Sequence, residues 1–470
     1  MNYANNDLND TIVALATPPG VGAIGVIRLS GKKAIQIVDR VFMAKDLSQQ
    51  DSHTIHLGSI RDEGKIIDEV LISLFVAPKS YTKENVVEVS CHGSDFIIQQ
   101  LIQLFIKKGA RMAQPGEFTL RAFLNGQMDL SQAEAVADLI ASNSEATHAI
   151  AMQQMRGGFS DEIQKLRQQL LDFASLIELE LDFSEEDVEF ANREELKTLV
   201  QKIQGLLKSL IDSFQLGNVI KNGVSTVIAG RPNAGKSTLL NALLNEERAI
   251  VSDIAGTTRD TVEESLNIKG IQFRLIDTAG IRKAQDQIER MGVEKTIEKI
   301  AQSMVVIYVF DVTESKPADL WQDVDRFLQG SKVLTAKSKQ IFVANKMDLR
   351  PHLHPSDYYK EKLISDNNLI TVSAKNQMNI EYLKNTLFQT VVNHPELTDQ
   401  TIVTNSRHYE ALSQAHSSLT DVLTGMDSGI TSDFIAMDIR RALQFLGLIT
   451  GEISTDDLLG NIFSNFCIGK

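Results

Sequence analysis

Val224-Ser-Thr-Val-Ile-Ala-Gly230-Arg-Pro-Asn-Ala-Gly235-Lys236-Ser237-Thr238 is the stretch whose reading decides the fold. The β-branched run from Val224 to Ala229 predicts a buried strand, and Gly230 to Ser237 fits the phosphate-loop template G-x-x-x-x-G-K-[ST]. The spacing has a physical cause. Glycines let the backbone curl around an anion with successive N–H groups pointing inward, and a helix starting near Ser237 adds the positive end of its dipole. In that geometry Asn233, Ala234, Gly235 and Thr238 line the anion, Lys236 reaches the β- and γ-phosphates, and the Ser237 hydroxyl is the expected Mg²⁺ ligand.

Downstream, strands are expected at Phe273–Ile276, Met304–Phe310, Lys339–Ala344 and Leu369–Val372, with helical stretches between them. That alternation predicts a doubly wound, mostly parallel sheet, whose ligands bind beyond the carboxyl ends of the strands. The remaining motifs fall there. Asp277-Thr278-Ala279-Gly280 offers an acid for a water-mediated Mg²⁺ contact and a glycine N–H for a γ-phosphate. Asn345-Lys346-Met347-Asp348 offers a carboxylate, Asp348, that can accept from the N1–H and exocyclic amine of guanine. Adenine has no such pair of donors and would leave the acid unpaired. Ser373-Ala374-Lys375 completes the wall of a base site, and the ordered set predicts GTP as ligand.

Between loop and acid lies a switch segment, Ser252-Asp253-Ile254-Ala255-Gly256-Thr257-Thr258. Thr258 is placed to give Mg²⁺ a second hydroxyl. Small signalling GTPases carry a water-positioning glutamine directly after the glycine of the acid motif. Here the residue is Ile281, so Arg282 and Glu289 are the candidates for orienting the attacking water, Glu289 through a bridging water. Asn233 with the carbonyls of Ser252–Thr257 would cage a monovalent cation against the phosphates, or Asn233 simply caps the loop.

The flanks differ in texture. From Thr11 to Phe118 strand signals (TIVALAT, AIGVIRLS, EVLISLFVA, NVVEVSC) accompany one helical stretch, Phe96–Lys107, predicting a small α+β domain. Residues 119–218 are rich in Ala, Leu, Gln and Glu, and Ser131-Gln-Ala-Glu134 matches a capping box opening a long helix. Further helices are expected at Asp161–Leu179 and Arg193–Leu216, while the acidic cluster in Ile177–Phe190 reads as a solvated face. Helical texture resumes after the central domain, so 119–218 and 391–470 are expected to form one helical domain interrupted by an insertion at 219–390. For 470 residues that makes three structural units.

Bulk properties narrow the function. A net charge of −14 argues against gripping nucleic acid by bulk electrostatics, so any RNA contact must use a local basic patch or a partner, and no DNA binding is expected. The start of the chain lacks a signal peptide's basic flank and apolar run, and no apolar stretch approaches the ~18 residues of a membrane span. Cys91 and Cys467 stand alone, without zinc or disulfide spacing, and a reducing cytoplasm is the expected home.

Taken together, Ala16-Thr-Pro-Pro-Gly20 with Ile27-Arg28, Pro115-Gly-Glu-Phe118 followed by Arg121-Ala-Phe-Leu-Asn-Gly126, the inserted GRPNAGKS and DIAGTTRD, and the terminal FCIGK resemble the MnmE (TrmE) family of tRNA-modification GTPases. The resemblance covers essentially the whole chain. It implies a multidomain α+β and α/β protein: an N-terminal α+β folate-binding and dimerisation domain (1–118), a discontinuous all-helical domain, and an inserted Ras-like P-loop GTPase domain. It implies a homodimer, potassium held by Asn233, Ser252, Ile254 and Thr257, and Glu289 as an indirect general base. With the flavoprotein MnmG, which brings FAD and NADH, the family installs an aminomethyl or carboxymethylaminomethyl group at C5 of the wobble uridine of certain tRNAs. Cys467 matches a cysteine tied to that modification. A formyl-tetrahydrofolate derivative is implied at Arg28, Glu88 and Lys470, with the fourth position at Gln127, where the family usually has a basic residue. A ribosome-assembly or signalling GTPase would share the central motifs but would not need FCIGK or the folate-like domain.

Overall fold

The computed structural model describes residues 10–182, 193–244, 263–277, 303–330, 338–360, 363–391, 401–464 and 466–469. The chain divides into two compact units, one of Met1–Ala141, Ala151–Leu207 and Glu410–Lys470, the other of Ser142–Ile150 and Lys208–Tyr409.

The first unit opens with β1 (Ile12–Leu15), β2 (Ile24–Ser30), α1 (Ala34–Asp39), β3 (Phe42–Met43), β4 (Thr54–Asp62), β5 (Lys65–Phe75), β6 (Val86–His92), α2 (Asp95–Lys107) and β7 (Arg111–Met112). The strands form a 7-stranded sheet in the order β3-β4-β5-β6-β2-β1-β7, antiparallel except for the parallel β1–β7 pair. Side chains alternate between the faces, so Ile27, Leu29, Ile72, Leu74, Val87 and Val89 share one core with Ile37, Val38, Leu101 and Phe105 of α1 and α2. The opposite face carries the row Ala14, Arg28, Glu88, Ser73, Ile55, one residue per strand. Ile55 is exposed there, as are the directly paired Leu57 and Leu71.

Helices follow: α3 (Glu117–Leu124), α4 (Leu130–Ala141), α5 (Glu145–Met155), α6 (Gly158–Asp182) and α7 (Arg193–Asn222). The expected cap at Ser131 is displaced two residues upstream. Asp129 Oδ1 accepts from Gln132 N and Gln132 Oε1 accepts from Asp129 N, both at 2.9 Å, which is a reciprocal capping box. Ser131 lies inside the helix, and its buried hydroxyl instead meets Ser160 Oγ at 2.6 Å.

The second unit holds β8 (Val224–Ala229), α8 (Lys236–Leu244), β9 (Glu263–Ile268), β10 (Ile271–Asp277), β11 (Val305–Asp311), α9 (Pro317–Gly330), β12 (Lys339–Asn345), β13 (Leu369–Thr371) and α10 (Ile380–Val391). Its 6-stranded sheet runs β13-β12-β11-β8-β10-β9, parallel except for β9, which pairs antiparallel with β10. All seven residues of β11 are buried, as a central strand covered on both faces requires. The β9–β10 hairpin was not expected from the sequence. Asn143 belongs to this unit and donates from Nδ2 to Gln272 Oε1 of β10 at 2.6 Å.

The chain then closes with α11 (Ser406–Asp427), α12 (Ser432–Thr450) and α13 (Asp456–Phe463). Ile435, Ile439, Ala442, Leu446 and Ile449 recur at helical spacing on one buried stripe of α12, which packs along α6 and α4. Helices from both sides of the insertion therefore make one discontinuous all-helical assembly. Among the described residues no helix is long and apolar enough to cross a membrane.

Candidate functional site

The phosphate loop leaves the carboxyl end of β8, where Ile228 lies beside Asp277 of β10 and Ala229 beside Tyr308 of β11. Two glycines are obligatory here. A Cβ on Gly230 (φ +145°) would fall 2.0 Å from the Val309 carbonyl oxygen, and one on Gly235 (φ +92°) would fall 2.2 Å from Asn345 Nδ2. Lys236 is 8% exposed, and its Nζ donates to the carbonyls of Gly230 at 3.1 Å and Arg231 at 2.8 Å, which fixes its ammonium at the loop. Ser237 and Thr238 are exposed at the start of α8, and Asn233 is exposed in the left-handed region (φ 62°). A backbone cradle that a methyl would fill, with a cation at its centre and a helix start behind it, fits the phosphates of a nucleotide.

The base motifs are joined to this loop by one side chain. Asn345, 2% exposed, donates from Nδ2 to Ala234 O at 2.9 Å and accepts at Oδ1 from Ala374 N at 3.1 Å. Ser373 and Met378 close the third motif through mutual backbone hydrogen bonds of 3.2 and 3.0 Å, and Lys375 is exposed beyond Ala374. Lys346 is left-handed (φ 66°) and turns the chain into a 3₁₀ turn, Met347–Leu349, that presents the half-buried Asp348. Lys346 Nζ pairs with Asp311, an acid that the sequence reading missed because a lone Asp at a strand end matches no motif. Burial works against charge on Asp311, but hydrogen bonds from Lys346 and Thr313 outweigh it and hold its pKa below the usual carboxylate range. Arg231 of the loop also pairs with Asp323 of α9.

Asn233 to Thr238, Asn345, Lys346, Asp348 and Ser373 to Lys375 are thus gathered at one end of one sheet. Asp277 ends β10 at the same level. Ser252, Asp253, Ile254, Ala255, Gly256, Thr257, Thr258, Thr278, Ala279, Gly280, Arg282 and Glu289 lie outside the described residues.

A second constellation sits on the open face of the first unit's sheet. Arg28 Nε donates to Glu88 Oε1 at 2.9 Å and its NH1 to the Gly469 carbonyl at 3.2 Å. The guanidinium carbon lies 5.5 Å from the Tyr81 ring centroid and 5.8 Å from that of Phe118. Gly469 is left-handed (φ +94°), and a Cβ there would lie 2.3 Å from the Leu15 carbonyl oxygen, so the chain end can lie this close to β1 only as glycine. Cys467 is exposed, and its carbonyl accepts from Gly116 N at 3.3 Å. Cys91 is its opposite, a buried thiol that burial, and secondarily Asp68, push up to about 11. Lys470 lies outside the described residues. Gln127 is exposed, and the adjacent Gly126 carbonyl accepts from Lys83 Nζ at 2.5 Å, which puts a positive charge beside it.

Behind this face lies a charged cluster that the sequence reading also missed. Arg121, 1% exposed, reaches Asp10, Glu84 and the equally buried Glu117, while Arg111 bridges Asp10 and Glu117. The cluster ties the start of the chain to α3, whose Phe118 and Thr119 meet Arg28 and the Tyr81 hydroxyl.

Residues 11–127 match the family model of the GTP-binding protein TrmE N-terminus, and residues 130–467 match that of the MnmE helical domain. The chain belongs to the MnmE (TrmE) family. Among its relatives, the tRNA modification GTPase MnmE of Cytophaga hutchinsonii is 56% identical over 98% of both chains. Those of Flavobacterium johnsoniae and Bacteroides thetaiotaomicron are 55% and 50% identical, each over 98% of this chain and 99% of their own. The solved GTP-binding protein of Sulfolobus solfataricus shares 20% identity over 48% of this chain and 67% of its own, with a TM-score of 0.27, a likeness too low to carry any argument.

Proposed function

We propose that this protein is a potassium-activated GTPase that works with the flavoprotein MnmG on the wobble uridine of certain tRNAs. The coarser part, GTP hydrolysis in tRNA modification, follows from membership in the MnmE family, whose relatives at 50 to 56% identity carry that activity in their names. The observation that carries the nucleotide reading is the Asn345 side chain, which binds the phosphate loop on one side and the base loop on the other. Phosphates and base are then held by one rigid element.

On this reading the loop N–H groups and Lys236 hold the phosphates, and Asp348 reads guanine through two accepted hydrogen bonds. Ser237 and Thr258 would hold Mg²⁺, which would withdraw charge from the phosphate oxygens. Asn233, Ser252, Ile254 and Thr257 would hold K⁺, which would supply the positive charge that an arginine finger supplies elsewhere. Glu289 orients the attacking water through a bridging water, with Arg282 the second polar group in reach. In the first unit Arg28, Glu88, Gln127 and Lys470 hold a formyl-tetrahydrofolate derivative, and Lys83 supplies the positive charge that Gln127 lacks. The exposed Ile55, Leu57 and Leu71 on the same sheet face support homodimerisation through this unit. Cys467 serves the addition at C5 of the uridine, with FAD and NADH brought by MnmG.

The test compares GTP turnover in KCl and NaCl for the wild type and Asn233→Ala. Much faster turnover in K⁺, flattened by the substitution, is the expected result, and equal turnover in both salts overturns the potassium assignment. In the same assay Glu289→Ala should keep GTP affinity and lose about 10² to 10⁴ in turnover, the range for a lost general base. Cys467→Ser should keep the K⁺-stimulated GTPase and abolish wobble-uridine modification in cells, and modified tRNA at normal abundance would count against that role.

A further inference from the structure

Asp311 is the last residue of β11 and lies opposite Asn345 in the β11–β12 register, with Val312 N donating to Asn345 O at 3.2 Å. It is 3% exposed. A carboxylate this deep must have all its partners supplied by the protein. Thr313 occupies Oδ1 with both its N–H, at 2.8 Å, and its hydroxyl, at 2.6 Å, and Oδ2 is left facing the ammonium of Lys346. Lys346 is therefore held at both ends. Its backbone is in the left-handed region, a conformation that costs a non-glycine residue free energy, and the next N–H is pinned to Val372 O at 3.1 Å. One residue further on stands Asp348.

We propose that Asp311 is a positioning residue for the base half of the nucleotide site: it draws the Lys346 ammonium aside so that the lysine's methylene stem forms an apolar ledge for the face of the guanine that Asp348 reads. The inference rests on the reading of this site as a guanine-nucleotide site. A lysine stem presents apolar surface along its length while its charged head seeks a polar partner. A free lysine has to surrender its rotamers when a ligand packs on it. Asp311 removes that cost before the nucleotide arrives, which makes the site preorganised. Asp311 has no path to the phosphates except through the chain, so its effect falls on binding and not on the chemical step.

The experiment measures GDP and ADP affinity and steady-state GTP turnover for the full chain and for Asp311→Asn, Lys346→Met and the double variant, with thermal unfolding as a check of folding. Asp311→Asn keeps the shape and the Thr313 contacts but weakens the hold on Lys346. It should loosen GDP roughly 10-fold, the scale of one charge-assisted hydrogen bond, and raise KM for GTP similarly while kcat stays within about twofold. In the Lys346→Met background the same change should cost nothing further, because the partner through which it acts is gone. If Asp311→Asn does not fold, Thr313→Val, which takes the hydroxyl from Oδ1 and leaves only the backbone N–H of residue 313 to hold it, should give a smaller loosening of GDP with the same unchanged kcat. Equal GDP affinity in the wild type and the folded variant, or an equal loss in both backgrounds, would overturn the proposal alone. A wild type that does not prefer GDP to ADP would overturn the guanine reading and the proposal with it.

Discussion

The phosphate loop and the Arg28 constellation are both cations held by carbonyls or carboxylates, yet they are built in opposite ways. Lys236 is held by carbonyls five and six residues away in sequence, whereas Arg28 finds its partners 60 and 441 residues away. A site made from consecutive backbone groups dictates residue type at fixed spacing, since only glycine tolerates the approach to Val309 O and Asn345 Nδ2. A site made from side chains on distant strands imposes no local pattern. The first can be read in any single sequence, and the second needs either the fold or a family resemblance.

The largest expected effect breaks the local site. Gly230→Ala sets a Cβ 2.0 Å from a backbone oxygen, where no side-chain rotation gives relief. Nucleotide binding should be lost altogether, and the second unit should lose about 4 kcal/mol or more of stability, the tail of the distribution for single substitutions. Calorimetry with GDP and a urea titration check the two parts, and binding within twofold of wild type would show that the cradle is not backbone-made.

Next in size comes the support of the distant site. Arg121→Met removes one of the two guanidiniums that face the buried Glu117 and Asp10, and the one that faces Glu84, and should cost up to about 3 to 5 kcal/mol, the scale of a broken buried ion pair. The cluster also predicts a pH dependence. Burial opposes ionisation of Asp10 and Glu117, but hydrogen bonds from Arg111, with Arg121 adding to them, hold both pKa values below their ordinary 3.8 and 4.5. A carboxylate with a lowered folded-state pKa contributes stability above its unfolded pKa and loses it as pH falls through the folded value. The urea midpoint of the first unit should therefore hold from neutral pH down to about 4.5 and fall below that, from the unfolded pKa values of Asp and Glu. A midpoint that rises on acidification would refute the assignment.

Arg28→Ala sharpens the comparison at the site itself. On the folate assignment proposed above, formyl-tetrahydrofolate binding should weaken by about 10²-fold, the scale of a lost charged group in a half-buried site. GTP turnover in K⁺ should stay at the wild-type rate, because no nucleotide motif is touched. A matching loss in both assays would mean that the substitution acts on folding.

The same contrast explains what was legible elsewhere. β8 spans Val224–Ala229 as expected, and α2 begins one residue before the expected Phe96, because a run rich in β-branched residues and clean helical periodicity leave little choice. β9 was missed because Glu263–Ile268 is an edge strand that opens with two acids and in which Leu266 and Ile268 are buried. In β4 the alternation is obscured by His56, buried with its ring nitrogen 2.8 Å from Thr54 Oγ1, and by Gly58. At α4 two capping templates overlap by two residues, and Asp129 prevails: its Oδ1 accepts from both Gln132 N and the Ser131 hydroxyl at 2.9 Å, and that hydroxyl also meets Ser160. Asp311 and Arg121 carry no motif at all, since their partners are fixed by strand order and helix docking.

The smallest effect concerns Lys83, which tests whether a distant site can replace a charge without leaving a trace in sequence pattern. Gln127 carries no charge, but Lys83 Nζ donates to the carbonyl just before it at 2.5 Å. An ammonium held there acts on an anionic ligand group much as a charged side chain at 127 would, over a similar distance and through solvent. Exposed charges interact weakly, by about 0.2 to 1 kcal/mol, so Lys83→Ala should weaken formyl-tetrahydrofolate about two- to fivefold. The loss should shrink as KCl is raised and the Debye length contracts. Gln127→Lys in the Lys83→Ala background should restore the affinity, because what matters is the charge and not the residue that bears it. Affinity that is unchanged in Lys83→Ala at low salt would show that the ligand makes no use of charge at this edge, and would leave Arg28 as the cation that recognises it.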